Sequence, residues 1–232
     1  MQIEIKQLSK KFDKKTILEN IDFIFEKGKI YVLLGRNGVG KTTLFNCINN
    51  DIKPDTGEIL IHNNDQTRKL TTNDIGYVLS TPVVPEFLTA NEFLKYYLDI
   101  NKNEIDDMKS MDEYFDLVML KEEDRNKLLK DFSHGMKNKM QMLVNIISKP
   151  KLLLLDEPLT SFDVVVAEEM KDLLRSIKKD CVIIFSTHIL DIALDLCDEI
   201  VLLNNCKLSQ ISQDVVKDVN AKQTIIDILR GE

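Results

Sequence analysis

An α/β fold with a mostly parallel sheet is the architecture that residues 1–232 predict, on three observations. Short apolar or alternating runs, parted by turn signals, dominate the first 80 residues. A section of helical period occupies 82–149. From residue 150 onward strand-like runs alternate with helix-like ones, the pattern of a parallel sheet with helices on its faces. The length suits a full hydrophobic core, as one large domain or two closely joined lobes. Its core segments would be 1–81 and 150–232, with 82–149 as an inserted helical lobe.

In chain order, "MQIEIKQL", "ILENIDFIF", "KIYVLLG", "GEILIH" and "DIGYVLS" read as strands, interrupted by one helix that begins near residue 40. Thr89 and Glu92 have capping-box spacing, and Phe93, Leu94, Tyr97 and Leu98 then repeat at helical intervals. Ser133 stands before a stripe of Met136, Met140, Leu143, Val144 and Ile147, which reads as core packing. "KLLLLDEP" is a buried strand, and Val166, Met170, Leu173, Leu174 and Ile177 mark a helix. "CVIIFSTH" is the next strand and "ILDIALDLC" a short helix. "EIVLLNN" and "CKLSQIS" form a hairpin around Asn204-Asn205. The remaining 20 or so residues are too few for another domain.

Composition narrows the function classes. The net charge is −7, so no nucleic acid or anionic lipid is expected as a general partner, and phosphate chemistry must come from a local site. The longest apolar runs, such as "LLLL" at 152–155, fall far short of the roughly 20 residues that span a bilayer. "MQIEIKQLSK" has no apolar signal region, which points to a cytosolic chain. Cys47, Cys181, Cys197 and Cys206 form no C-x-x-C pair, and three lie in or beside apolar segments, as reduced buried thiols do. His62, His134 and His188 share no metal-ligand spacing, which argues against structural zinc.

"GRNGVGKTT" at 35–43 (Gly35, Arg36, Asn37, Gly38, Val39, Gly40, Lys41, Thr42 and Thr43) fits the phosphate-loop pattern G-x-x-x-x-G-K-[ST] in full. It follows a predicted strand and opens a predicted helix, the context that the pattern requires. The glycines let backbone N–H groups wrap around phosphate oxygens. Lys41 supplies charge to the β- and γ-phosphates of ATP, and the Thr42 hydroxyl suits Mg²⁺. A P-loop NTPase core follows. Such a core needs a carboxylate at the end of a neighbouring strand. Asp156 ends the four-leucine strand, where its charge needs a cation, and Glu157 beside it can take a proton from an attacking water. Taken alone, the two acids could simply cap a strand. His188 ends the next strand, where it either reaches a γ-phosphate or is only a surface residue.

"DFSHGMKNKM" at 131–140 admits two readings. Ser133 can cap a helix, or the same exposed N–H groups can seat a phosphate. With these motifs in order, the chain resembles ATP-binding-cassette (ABC) nucleotide-binding domains over nearly all of its length. The resemblance implies an N-terminal antiparallel β-subdomain and an inserted helical subdomain around the P-loop core. Phe12 matches the adenine-stacking aromatic, although packing under the first hairpin would also account for it. "FSHGM", with Ser133, His134, Gly135 and Met136, matches the signature that acts on ATP held by a partner chain. "TSFD", with Ser161 and Asp163, matches the D-loop, and His188 the switch histidine. Two positions depart from the family. His134 replaces the first signature glycine, as in bacterial exporter-type cassettes. Ser80 stands where "IGYVLSTP" should carry Gln or Glu, which weakens any direct contact to Mg²⁺ or to the lytic water.

What the resemblance implies is an ATPase, using ATP and Mg²⁺, that works as a homo- or heterodimer of nucleotide-binding subunits. It would sit on the cytoplasmic face of the membrane and drive a separate permease. The exporter-like signature and the lack of a C-terminal regulatory domain favour export. The rival is a soluble cassette ATPase of the translation, repair or iron–sulfur assembly type. It lacks support here, since only one cassette and no coiled-coil or zinc insertion is visible. A scaffold without turnover would rest on Ser80 alone.

Overall fold

Apolar strands that are buried on both faces organise the molecule. The computed structural model describes residues 1–230 except 65, 106, 160, 161 and 219. β1 (Gln2–Phe12), β2 (Lys15–Glu26), β3 (Ile30–Leu34), α1 (Lys41–Ile48), β4 (Thr56–Asn63), β5 (Gln66–Lys69) and β6 (Ile75–Val78) come first. Among the described residues, no strand lies between β6 and β7. That stretch holds α2 (Ala90–Asn101), α3 (Met111–Leu117), α4 (His134–Ile147) and short 3₁₀ turns. β7 (Leu152–Asp156), α5 (Val164–Ile177), β8 (Val182–Thr187), α6 (Leu190–Leu196), β9 (Glu199–Asn204), β10 (Lys207–Gln210), α7 (Gln213–Lys217) and α8 (Ala221–Arg230) follow.

Two sheets result. The first is antiparallel, in the order β2-β1-β4-β5. The second runs β10-β9-β3-β8-β7-β6, parallel from β9 to β6, with β10 as an antiparallel edge. Every residue of β3, β7 and β8 is buried, which is why these strands are apolar runs rather than alternating ones. Alternate residues serve different cores. Leu153 and Leu155 pack with α2–α5, while Leu152 and Leu154 pack with α1 and the antiparallel sheet. β3 and β8 divide in the same way, with Val32 and Ile183 on one side and Leu33 and Ile184 on the other.

The caps agree with the sequence at two helices. Thr89 accepts from the Glu92 amide while Glu92 reaches back, so α2 opens on a capping box. Ser133 caps α4 by accepting from the Met136 amide at 3.2 Å. Met140, Leu143 and Ile147 are buried as that stripe predicts. One turn departs from expectation by a residue. Asn204 pairs with Lys207, so the hairpin turns at Asn205 and Cys206, both at positive φ (47° and 63°). Among the described residues no helix is long and apolar enough to cross a membrane.

Candidate active site

The second sheet positions the site at the carboxyl ends of its strands. β3 is followed directly by the glycine loop and α1. Two glycines there have no substitute. A Cβ on Gly40, which caps α1 at φ 118°, would lie 2.5 Å from Ile17 Cγ2. A Cβ on Gly35 would lie 2.8 Å from the Leu203 carbonyl oxygen. The loop is thus pressed against both sheets, against Ile17 of β2 and Leu203 of β9.

Below the loop lies a cavity of about 430 Å³. Asn37, Gly38, Gly40, Lys41, Thr42 and Thr43 line one side of it. Phe12, Ile17, Ser80, Asp156 and Glu157 supply the rest. Gly35, Arg36 and Val39 do not line it. The Gly35 carbonyl accepts from Lys41 Nζ at 2.8 Å, and the Arg36 carbonyl does so at 3.5 Å. Burial pulls the Lys41 ammonium below the ordinary lysine pKa, against the opposing pull of Glu157 and Asp156. A buried cation aimed at an anion-sized space is what a phosphate chain would stabilise.

Asp156 is 4% exposed and is held at both oxygens. Thr42 Oγ1 donates to Oδ2 at 2.9 Å, and Ser186 Oγ donates to Oδ1 at 2.5 Å. A buried carboxylate beside a hydroxyl is a hard-oxygen pair, which fits Mg²⁺. Glu157 follows in the left-handed region, at φ 50°. Its amide donates to both the carbonyl and the hydroxyl of Ser186, at 3.2 and 3.1 Å. A non-glycine residue costs of order 1 kcal/mol or more in this conformation, and such strain gathers at functional sites. His188 Nδ1 lies 3.0 Å from one Glu157 oxygen and 2.9 Å from the other. The ionised carboxylate only accepts, so Nδ1 must carry the proton.

The remaining residues fall into three groups. Phe12 is 45% exposed at the cavity mouth, with Lys10 Nζ 5.3 Å from its ring centre, and so it is not buried under the hairpin. Ser133, His134, Gly135 and Met136 stand outside this cavity, at the start of α4. Asp163 caps α5, accepting from the Val166 amide at 3.0 Å, whereas Ser161 lies outside the described residues. Sequence reasoning missed Ile17 and Ser186. Ile17 sits in an ordinary strand, and Ser186 is one polar residue in the apolar run "VIIFST", which signals only burial.

The site and fold define a phosphate-binding α/β ATPase. The family model described as ABC transporter matches residues 18–160, and the chain belongs to that family, as one of its ATP-binding ATPase subunits. It is 32% identical to the "Probable sulfate/thiosulfate import ATP-binding protein CysA" of Chlorella vulgaris, over 91% of both chains. It is 29% identical to the "Lantibiotic transport ATP-binding protein SrtF" of Streptococcus pyogenes, over 81% of this chain and 80% of that one. The solved "Structure of ATP binding subunit of ABC transporter" superposes with a TM-score of 0.80 at 25% identity. It covers 100% of this chain and 98% of its own.

Proposed function

We propose that this chain, as a single domain with 82–149 as its helical lobe, hydrolyses ATP in a dimer whose two sites are each shared between chains. Phe12 stacks on adenine. The loop from Gly35 to Thr43 wraps the phosphates, and Lys41 leaves the Gly35 carbonyl for the β- and γ-phosphates. Thr42 and Asp156 would hold Mg²⁺, which supplies charge neutralisation on those phosphates. Glu157 accepts a proton from the attacking water, and His188 keeps that carboxylate aimed while contacting the γ-phosphate. Ser133 to Met136 offer a capped helix start to the ATP of the partner chain. Ser161 and Asp163 contribute as the D-loop, and Ser80 reaches the cation side through water.

The observation that carries this reading is the division of labour within one chain. Lys41, Thr42, Asp156 and Glu157 share one cavity, while the signature at Ser133 stands outside it. A second copy would bring the missing wall. We further propose that the subunit works on the cytoplasmic face with a membrane permease. Val83 and Phe87, 70% and 79% exposed just after Ser80, give that partner an apolar seat beside the site. Export is the direction proposed, on the exporter-like "SHGM".

Glu157→Gln is the test. It should keep ATP affinity, cut turnover by about 10²–10⁴-fold and accumulate as an ATP-bound dimer in gel filtration. Wild-type turnover would remove Glu157 as the base. A variant that stays monomeric with bound ATP would remove the shared site.

A further inference from the structure

At the opposite end of the parallel sheet, where β7 and β8 begin, lies a second cavity of about 530 Å³. It adjoins none of the residues assigned above. Its walls are apolar and come from two parts of the chain. Tyr114 and Leu117 of α3 and Ile147 of α4 face Leu153 of β7 with Leu173 and Ile177 of α5. Around this lining stand Lys27, Lys109, Lys149 and Lys151. None of these four is in an ion pair among the described residues, whereas Lys29, Lys137, Lys171 and Lys178 each have a carboxylate partner. Asp107 and Asp180 also line it, leaving four cations against two anions in a chain whose net charge is −7. Lys27, Lys151 and Asp180 also line an adjoining cavity of about 520 Å³.

We propose that this cavity binds an amphipathic anion: a singly charged head held by the lysines, with an alkyl or aryl body on the apolar lining. The volume falls in the range of small-molecule sites, which are mostly apolar with a few polar groups that fix orientation. Asp107 and Asp180 would repel a polyanion. Cys181, also in the lining, has its thiol pushed up to about 12 by burial, which disfavours the thiolate. An occupant would touch α3 and α4 on one side and β7 and α5 on the other, joining the segment that carries Ser133 to the strand that carries Asp156. The inference is independent of the proposed dimer and of its permease.

Decanoate, below its micelle concentration and at fixed ionic strength, is the probe for calorimetric titration of the full chain. It should bind saturably, one per chain, with and without ATP. Acetate, which has the charge without the body, should give no binding. Decyltrimethylammonium, which has the body without the negative charge, should bind at least tenfold more weakly. Lys109→Glu with Lys151→Glu should weaken decanoate at least tenfold while ATP affinity stays unchanged. If that pair fails to fold, Lys109→Gln with Lys151→Gln should give a smaller loss of the same sign. Absent or unsaturable decanoate binding overturns the proposal, as does equal binding of either control ligand or an undiminished affinity in the folded variant.

Discussion

Ser186 donates to Asp156 and accepts from the Glu157 amide, so removing its hydroxyl strands a buried carboxylate oxygen, while the Glu157 amide keeps the Ser186 carbonyl. Leaving such a group unpaired costs about 1–3 kcal/mol. Ser186→Ala should lose stability of that order in urea unfolding. It should also need more Mg²⁺ for half-maximal turnover, because Asp156 then keeps only Thr42 as a tether. Wild-type values for both would mean that the serine merely fills space. At this scale the glycine loop, Asp156, Glu157 and His188 were legible, because phosphate chemistry constrains residue type as well as spacing. Ser186 was not. A serine inside a buried strand has the same appearance whether or not it holds a carboxylate of the candidate site.

Among the elements, the 3₁₀ turn at Thr72–Asp74 links the two sheets. Arg68 of β5 grips Asp74 with two bonds of 2.6 Å, just before β6 begins. Arg68 and the Thr71 hydroxyl and amide hold the Asp74 carboxyl at about 2, below its ordinary 3.8. A depressed acid contributes stability above its unfolded pKa and loses it as pH falls through the folded one. Arg68→Ala should therefore cost about 1–2 kcal/mol at pH 7, the half-exposed arginine limiting the effect through solvent screening. The gap from wild type should close between about pH 4 and pH 2 in pH-dependent unfolding. A pH-independent gap would trace the loss to packing. β5 itself escaped the sequence because "QTRK" is exposed throughout and shows no alternation. α3 opens on a capping box, Ser110 with Glu113, of the kind that announced α2, but its 7 residues are too few for a periodic stripe. The hairpin turn moved to Cys206 because the pairing register, invisible in composition, decides which two residues take positive φ.

Across the whole molecule, the mostly parallel sheet was legible from its alternating runs, while the division of its faces between two apolar clusters was not. Leu152 to Leu155 look like one uninterrupted segment, and only the pleat sends alternate leucines to opposite sides. That division governs how the protein comes apart. β3, β7 and β8 each belong to both clusters, so neither cluster can melt while the other survives. Heating should give one transition, with calorimetric and van't Hoff enthalpies equal and the same midpoint for far- and near-ultraviolet circular dichroism. Saturating ATP should move that whole transition upward without splitting it, because a ligand bound beneath β3 and β7 is bound to the cooperative unit itself. Two separated transitions would show that the sheet is not the common element. A single transition would carry the phosphate loop away with the rest of the core, so a cell would hold either a competent ATPase or an unfolded chain open to proteolysis.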